Sequence, residues 1–145
     1  NQKENLEQIR EDMRRMMTEQ VGVFRTEKGL NAAIQALTDF KARTDRATLN
    51  STSLQMNQEL VQRWELENLL WVAMVIAQGA LERRESRGGR ARVDFPERKD
   101  ELNFHTLATM RDYGRIRFEK RDVDMSLFKA RGEHFEKFGV IERKY

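Results

Sequence analysis

Cysteine is absent from this 145-residue chain, and that absence removes a block of chemistry. No disulfide, thiolate zinc site, iron–sulfur ligation or cysteine nucleophile can be built from these residues. There is one proline, Pro96, and only 8 glycines. Both residue types punctuate turns, so their scarcity points to a few long elements and favours helix. Long hydrophobic runs are missing as well. The longest wholly apolar stretch, Leu69–Ala77, has 9 residues, against the ~20 that a bilayer-spanning helix needs. No secretory signal pattern opens the chain, and Asn1-Gln2-Lys3 reads as the start of a piece of a longer protein. The net charge of +3 is too small to argue for nucleic acid by itself.

What is present is an ordinary soluble composition on the polar side, 39% apolar and 35% charged, long enough for one domain with a real core. Asn5–Gln20 reads as an amphipathic helix, with Leu6, Ile9, Met13, Met16 and Met17 recurring at spacings of three and four. Gly22 is the candidate C-cap. Thr26 offers the next N-cap, Glu27 places an anion at the positive end, and the second helix runs to about Thr44. Leu30, Ile34, Leu37 and Phe40 form its apolar stripe. Thr44–Ser53 is polar and aperiodic, hence a loop. Thr52 followed by Gln55 fits a capping box for a third helix ending near Arg84. No charged residue occurs from Asn68 to Leu81, so the middle of that helix is apolar all round. A three-helix bundle alone would leave one of its faces wet, which points to a missing partner surface.

After Arg84 the texture changes to a Gly/Arg-rich irregular stretch, Ser86–Pro96. Leu102–Met110 is short and mixed, with Phe104 and Leu107 as anchors. Ile116, Phe118 and Val123 suggest a weak β segment after a Tyr113-Gly114 turn. Phe128–Tyr145 carries Phe135, Phe138, Val140 and Ile141 among charges. The chain thus reads as all-α: an antiparallel, spectrin-repeat-like three-helix bundle over 1–85. Its helices should cross at shallow angles. Residues 86–145 form an irregular extension that can hold a short β segment.

Each candidate site has a plain structural reading beside it. Arg83–Arg92 holds five arginines against one glutamate. It fits a capped helix C-terminus with Gly88 as the left-handed residue, an interface with another protein surface, or a phosphate-binding strip. The first suits the residue types best, because no aromatics interleave for base stacking. His105 and His134 lack ligand-spaced partners, and His105 reads as packed or capping. The acidic run Asp94, Glu97, Asp100 and Glu101 does not match a calcium loop. Glu67 is expected to pair with Arg63, one turn earlier. Trp64 and Trp71 read as core or interface anchors. No nucleophile–base set, phosphate loop or dinucleotide fingerprint occurs, so no catalytic, cofactor-binding or metal residue is assigned.

Three motifs, in order and at matching spacing, carry a resemblance. They are Glu65-Leu66-Glu67-Asn68-Leu69-Leu70, then Glu85-Ser86-Arg87-Gly88-Gly89, then Arg92-Val93-Asp94-Phe95-Pro96-Glu97-Arg98. Together with Gly22-Val23-Phe24-Arg25, they resemble the C-terminal region of the succinate dehydrogenase and fumarate reductase flavoproteins. The resemblance implies a helical bundle packed on a flavin domain and a capping domain that hold FAD and the catalytic residues. It also implies an iron–sulfur partner subunit, a membrane anchor reached only through the complex, and a peripheral position on the cytoplasmic face of the inner membrane. No nucleic-acid partner is implied. Glu85, Ser86, Arg87, Gly88, Arg92, Asp94 and Arg98 would form the docking turn. The sequence departs from the family at Arg90, commonly histidine, and at Arg98-Lys99-Asp100, usually arginine-aspartate-aspartate. Adenylylsulfate reductase and L-aspartate oxidase share related regions. The oxidase, with no iron–sulfur partner, is the alternative; a free-standing helical interaction or RNA-binding module is the second.

Overall fold

A computed structural model describes residues 4–112 and 114–126. Three helices, α1 (Leu6–Gln20), α2 (Glu27–Arg46) and α3 (Gln58–Glu82), form a bundle. Two-residue strands β1 (Phe24–Arg25) and β2 (Ala91–Arg92) pair in parallel, and β3 (Phe104–Asp112) and β4 (Arg115–Asp122) form an antiparallel hairpin. Among the described residues, no helix is long and apolar enough to cross a membrane.

The helix starts follow from side chains that satisfy orphan amides. The Glu7 and Gln8 amides donate to Asn5 Oδ1 at 2.9 and 3.3 Å. The Gly29 amide donates to Thr26 Oγ1 at 3.0 Å, as expected. The third start differs from the expected capping box. The Leu60 amide donates to Asn57 Oδ1 at 3.0 Å, so α3 begins at Gln58. Ser53 Oγ instead accepts from the Gln55 amide at 3.1 Å, and Met56 adopts a left-handed φ of 53°. That local turn interrupts the helix the sequence suggested. Gly22 also differs from expectation, because α1 ends on Val21 and Gly22 is not left-handed. It is there for closeness: a Cβ at Gly22 would lie 2.6 Å from the Thr18 carbonyl oxygen.

The core is one cluster drawn from all three helices. Ile9 and Met13 of α1 meet Leu30, Ala33 and Leu37 of α2 and Leu66, Leu70, Ala73 and Ala77 of α3. The α3 positions recur at spacings of four and three, which keeps them on one face. Each fully buried Leu or Ile contributes about 1.5–3 kcal/mol relative to exposure. Antiparallel packing of α1 and α2 is visible at their ends, where Arg43 Nε sits 3.1 Å from Glu4 just ahead of α1. Arg63, at the start of α3, donates to the Ala47 carbonyl just past α2. It thereby turns away from the pairing expected with Glu67.

The extension is more ordered than the sequence suggested. Eight residues of β3 pair with the eight of β4, with a register shift between Met110 and Asp112 and Gly114 at φ 111° in the turn. Ile116 and Phe118 are half-buried between charged neighbours, and Phe118 packs on Gly79 of α3, where an added Cβ would lie 3.4 Å from the ring. Phe104 and Leu107 are half-buried anchors, as expected, and Val123 follows the last strand residue. His105, expected to pack, is exposed because it falls on the outward side of the β3 alternation. The apolar segment Phe128–Tyr145, His134 and Tyr113 lie outside the described residues. Trp64 is 56% exposed and is no core residue, whereas half-buried Trp71 has the Lys41 ammonium 5.2 Å from its ring centroid.

Leu66→Ala should therefore lower stability by about 2–5 kcal/mol, read by urea denaturation. Trp64→Ala should change it by about 0.5 kcal/mol or less. An equal loss in both variants would refute this placement of the core.

Candidate functional site

Two helix ends of opposite sign meet behind the bundle, and Arg92 and Asp94 join them. Arg92 is only 1% exposed. Its Nη1 donates to the carbonyl oxygens of Ala80 and Arg83, both at 3.0 Å, capping the negative end of α3. Its Nε and Nη2 donate to the two Asp94 oxygens at 2.8 Å each, a bidentate fork. Asp94 Oδ2 in turn accepts from the Glu27 amide at 2.8 Å, in the first turn of α2. The pairing of β1 with β2 brings these groups into register, with the Ala91 amide on the Val23 carbonyl at 2.8 Å and the Val93 amide on the Arg25 carbonyl at 2.9 Å. The hydrogen bond from Arg92, opposed by partial burial and helped by the Glu27 amide, lowers the Asp94 carboxyl from the usual 3.8 to about 2.

Glu85 is the second hub and is fully buried. It accepts from Arg83 Nη2 at 2.7 Å, from Arg87 Nε at 3.0 and 3.1 Å, and from the Lys99 amide at 3.2 Å. Burial pushes its carboxyl up, but the Arg87, Arg83 and Lys99 hydrogen bonds outweigh that and hold it below the usual range. Arg83 also donates to the Phe104 carbonyl at 2.8 Å and lies 4.6 Å from the Phe104 ring, fastening the hairpin to α3. Ser86 Oγ accepts from the Arg92 amide at 2.8 Å and donates to the Phe95 carbonyl at 2.9 Å. Gly88, at φ 65°, makes the tight reversal in which the Arg87 amide donates to the Arg90 carbonyl at 3.2 Å.

Six of the seven residues singled out in the sequence, Glu85 to Gly88 with Arg92 and Asp94, belong to this one corner. Arg98 stands apart, paired with the exposed Asp100 at 3.1 Å. Sequence reasoning missed Arg83 as the partner of Glu85, the Lys99 amide, and the Glu27 amide that receives Asp94. The first was visible within the arginine run; backbone donors carry no residue signal. The arginine run is not a solvated basic face, since Arg83 and Arg92 are spent on carbonyls and carboxylates inside the protein. The corner holds no nucleophile–base pair, and the described residues contain no cluster able to bind a metal. Nor does it fit a flavin's pyrophosphate. The Gly88-Gly89 pair follows the negative end of α3, and the one helix N-terminus at the corner, that of α2, is already taken by Asp94.

Beside the corner, α3 exposes an apolar stripe. Val61, Trp64, Leu69, Val72 and Ile76 are all more than two-fifths exposed, on the side of the helix turned away from Leu66, Leu70, Ala73 and Ala77.

The family described as the C-terminal region of the fumarate reductase flavoprotein matches residues 10–145. The chain belongs to that family. It is 40% identical over 127 residues to the fumarate reductase flavoprotein subunit of Helicobacter pylori, covering 83% of this chain and 18% of that protein. It is 33% identical over 120 residues to the succinate dehydrogenase flavoprotein subunit of Rickettsia conorii, covering 82% and 20%. An E. coli quinol fumarate reductase chain superposes with a TM-score of 0.79 at 36% identity, covering 85% of this chain and 22% of that one. The chain thus spans about a fifth of the length of the relatives it matches. The motif resemblance at Glu65–Leu70, Glu85–Gly89 and Arg92–Arg98 and the three-helix fold of this family member agree with those matches.

A carboxyl lowered on folding adds stability above its unfolded pKa and loses it as pH falls toward its folded one. The stability advantage of the native chain over Asp94→Asn should be constant above about pH 5 and shrink between about 4 and 2. Acid titration of both proteins by circular dichroism checks this; an advantage unchanged at pH 2 would contradict the Arg92–Asp94 clamp.

Proposed function

We propose that this chain is the C-terminal helical domain of a flavoprotein subunit whose enzyme interconverts succinate and fumarate. In this reading residues 1–85 form the bundle and 86–145 the extension, and neither performs the redox step. FAD is held by a flavin domain in the rest of the subunit, with a capping domain beside it. The electrons pass to iron–sulfur centres in a partner subunit and on to quinone. The subunit sits peripherally at the membrane, reaching any anchor only through the complex. Family membership and relatives named as flavoprotein subunits support the enzyme class.

The observation that carries the docking role is the exposed stripe on α3. An apolar stripe of five large side chains, left exposed beside a corner whose carboxylates are bonded internally, is what a domain keeps for a permanent neighbour. Glu85, Ser86, Arg87, Gly88, Arg92, Asp94 and Arg98 are proposed as the turn that presents it. Their chemistry is positional: they fix the end of α3 against α2 and the hairpin.

Expressed alone, the 145-residue chain should show no visible flavin absorbance and no fumarate-reducing or succinate-oxidising activity. The longer subunit that contains it should show both when isolated with its electron-transfer partner. Flavin absorbance retained by the isolated chain, or a longer subunit that binds no flavin, would overturn the proposal.

A further inference from the structure

A cleft of about 370 Å³ opens between α3 and the β3–β4 hairpin, and three arginines, Arg25, Arg83 and Arg90, line it without any Asp or Glu. Arg83 is spent on Glu85 and on backbone carbonyls, yet it keeps an orphaned Nε, the one buried side-chain nitrogen or oxygen without a partner among the described residues. Arg25 donates through Nε to the Gly22 carbonyl at 2.6 Å and forms no ion pair among the described residues. Arg90 is half-buried, and no hydrogen bond or ion pair satisfies its guanidinium among the described residues. Burial, followed by the charges of Arg83 and Arg25, lowers the affinity of Arg90 for its proton, against a smaller opposing pull from Glu85. Glu85 compensates Arg83, but Arg25 and Arg90 stand as like charges, and an anion placed between them would relieve that repulsion. Val75, Ile76 and Phe118 give the cleft an apolar lining as well.

We propose that this cleft is a binding site for one carboxylate on an apolar stem, with Arg25 and Arg90 holding the carboxylate and the α3–hairpin wall taking the stem. A planar guanidinium matches a carboxylate in two parallel hydrogen bonds, and the apolar wall disfavours a fully hydrated phosphate. Two sources share this chemistry: a free small carboxylate, or an Asp or Glu side chain from a domain packed over the corner. The second source rests on the docking role proposed above; the first does not.

Titration of the 145-residue chain with sodium hexanoate at constant ionic strength, followed through the arginine Nε–Hε resonances, tests the site. A saturable shift is expected, weakened about tenfold or more by Arg90→Gln and unchanged by Arg14→Gln on the far surface of α1. Acetate, without the stem, should bind more weakly than hexanoate. The same titration on the longer subunit separates the sources. Saturation there identifies a free carboxylate. Its loss, together with an acidic side chain within about 4 Å of Arg90 in the subunit's structure, identifies the side chain. A shift that never saturates in the folded chain, or one that survives Arg90→Gln, overturns the site. A cleft covered in the subunit with no carboxylate near Arg90 overturns it equally, and that arm decides the question if the chain does not fold alone. Either outcome leaves the flavin test of the docking role standing on its own result.

Discussion

Helix ends carry partial charges, and a bundle whose ends meet inside the protein must neutralise them. Here a single ion pair does this for two helices at once. Arg92 covers the last carbonyls of α3, and Asp94 covers the first free amide of α2. The two side chains close on each other through a bidentate contact. Removing either would uncap one helix end and leave the other side chain charged, partly or wholly buried, and without its bidentate counter-ion. The parallel β1–β2 pair exists in this arrangement as the ruler that sets Arg92 at the right height. Glu85 extends the same logic outward, turning two arginines and a backbone amide into a joint between α3 and the hairpin.

Much of this was legible in the sequence, for physical reasons. The apolar periodicity of Ile9 and Met13 in α1 and of Leu30 and Leu37 in α2 is a local signal and gave the right core on those helices, whereas α3, apolar all round, showed no single face. Thr26 followed by an acidic residue gave the right start for α2. Thr52 and Gln55 gave a wrong start for α3, because serine and threonine caps compete with local turns, and Met56 in the left-handed region settled that competition. The hairpin was underestimated because its strands alternate charged with apolar residues on a half-exposed surface, where period-two patterning is weak. At the corner, the motif residues Glu85, Arg92 and Asp94 could be picked out by resemblance. Their partners could not. The Glu27 and Lys99 amides and the α3 carbonyls are backbone groups that any sequence would supply.

Arg83, Glu85 and Arg92 look inward, the apolar stripe on α3 looks outward, and most of the arginine-rich turn is consumed in internal bonds. Arg90 is the exception, left half-buried with no hydrogen bond or ion pair to its guanidinium among the described residues. This division separates the corner, which holds the helix ends together, from the exposed α3 stripe, for which a docking role is proposed.

The most direct measurement uses the absence of cysteine from this chain. A single thiol introduced by Val72→Cys, on the exposed stripe of α3, can be alkylated and quantified by peptide mass spectrometry. It should react quickly in the isolated chain and be strongly protected in the longer subunit that contains it. Equal reactivity in both would contradict the claim that this stripe is a docking face.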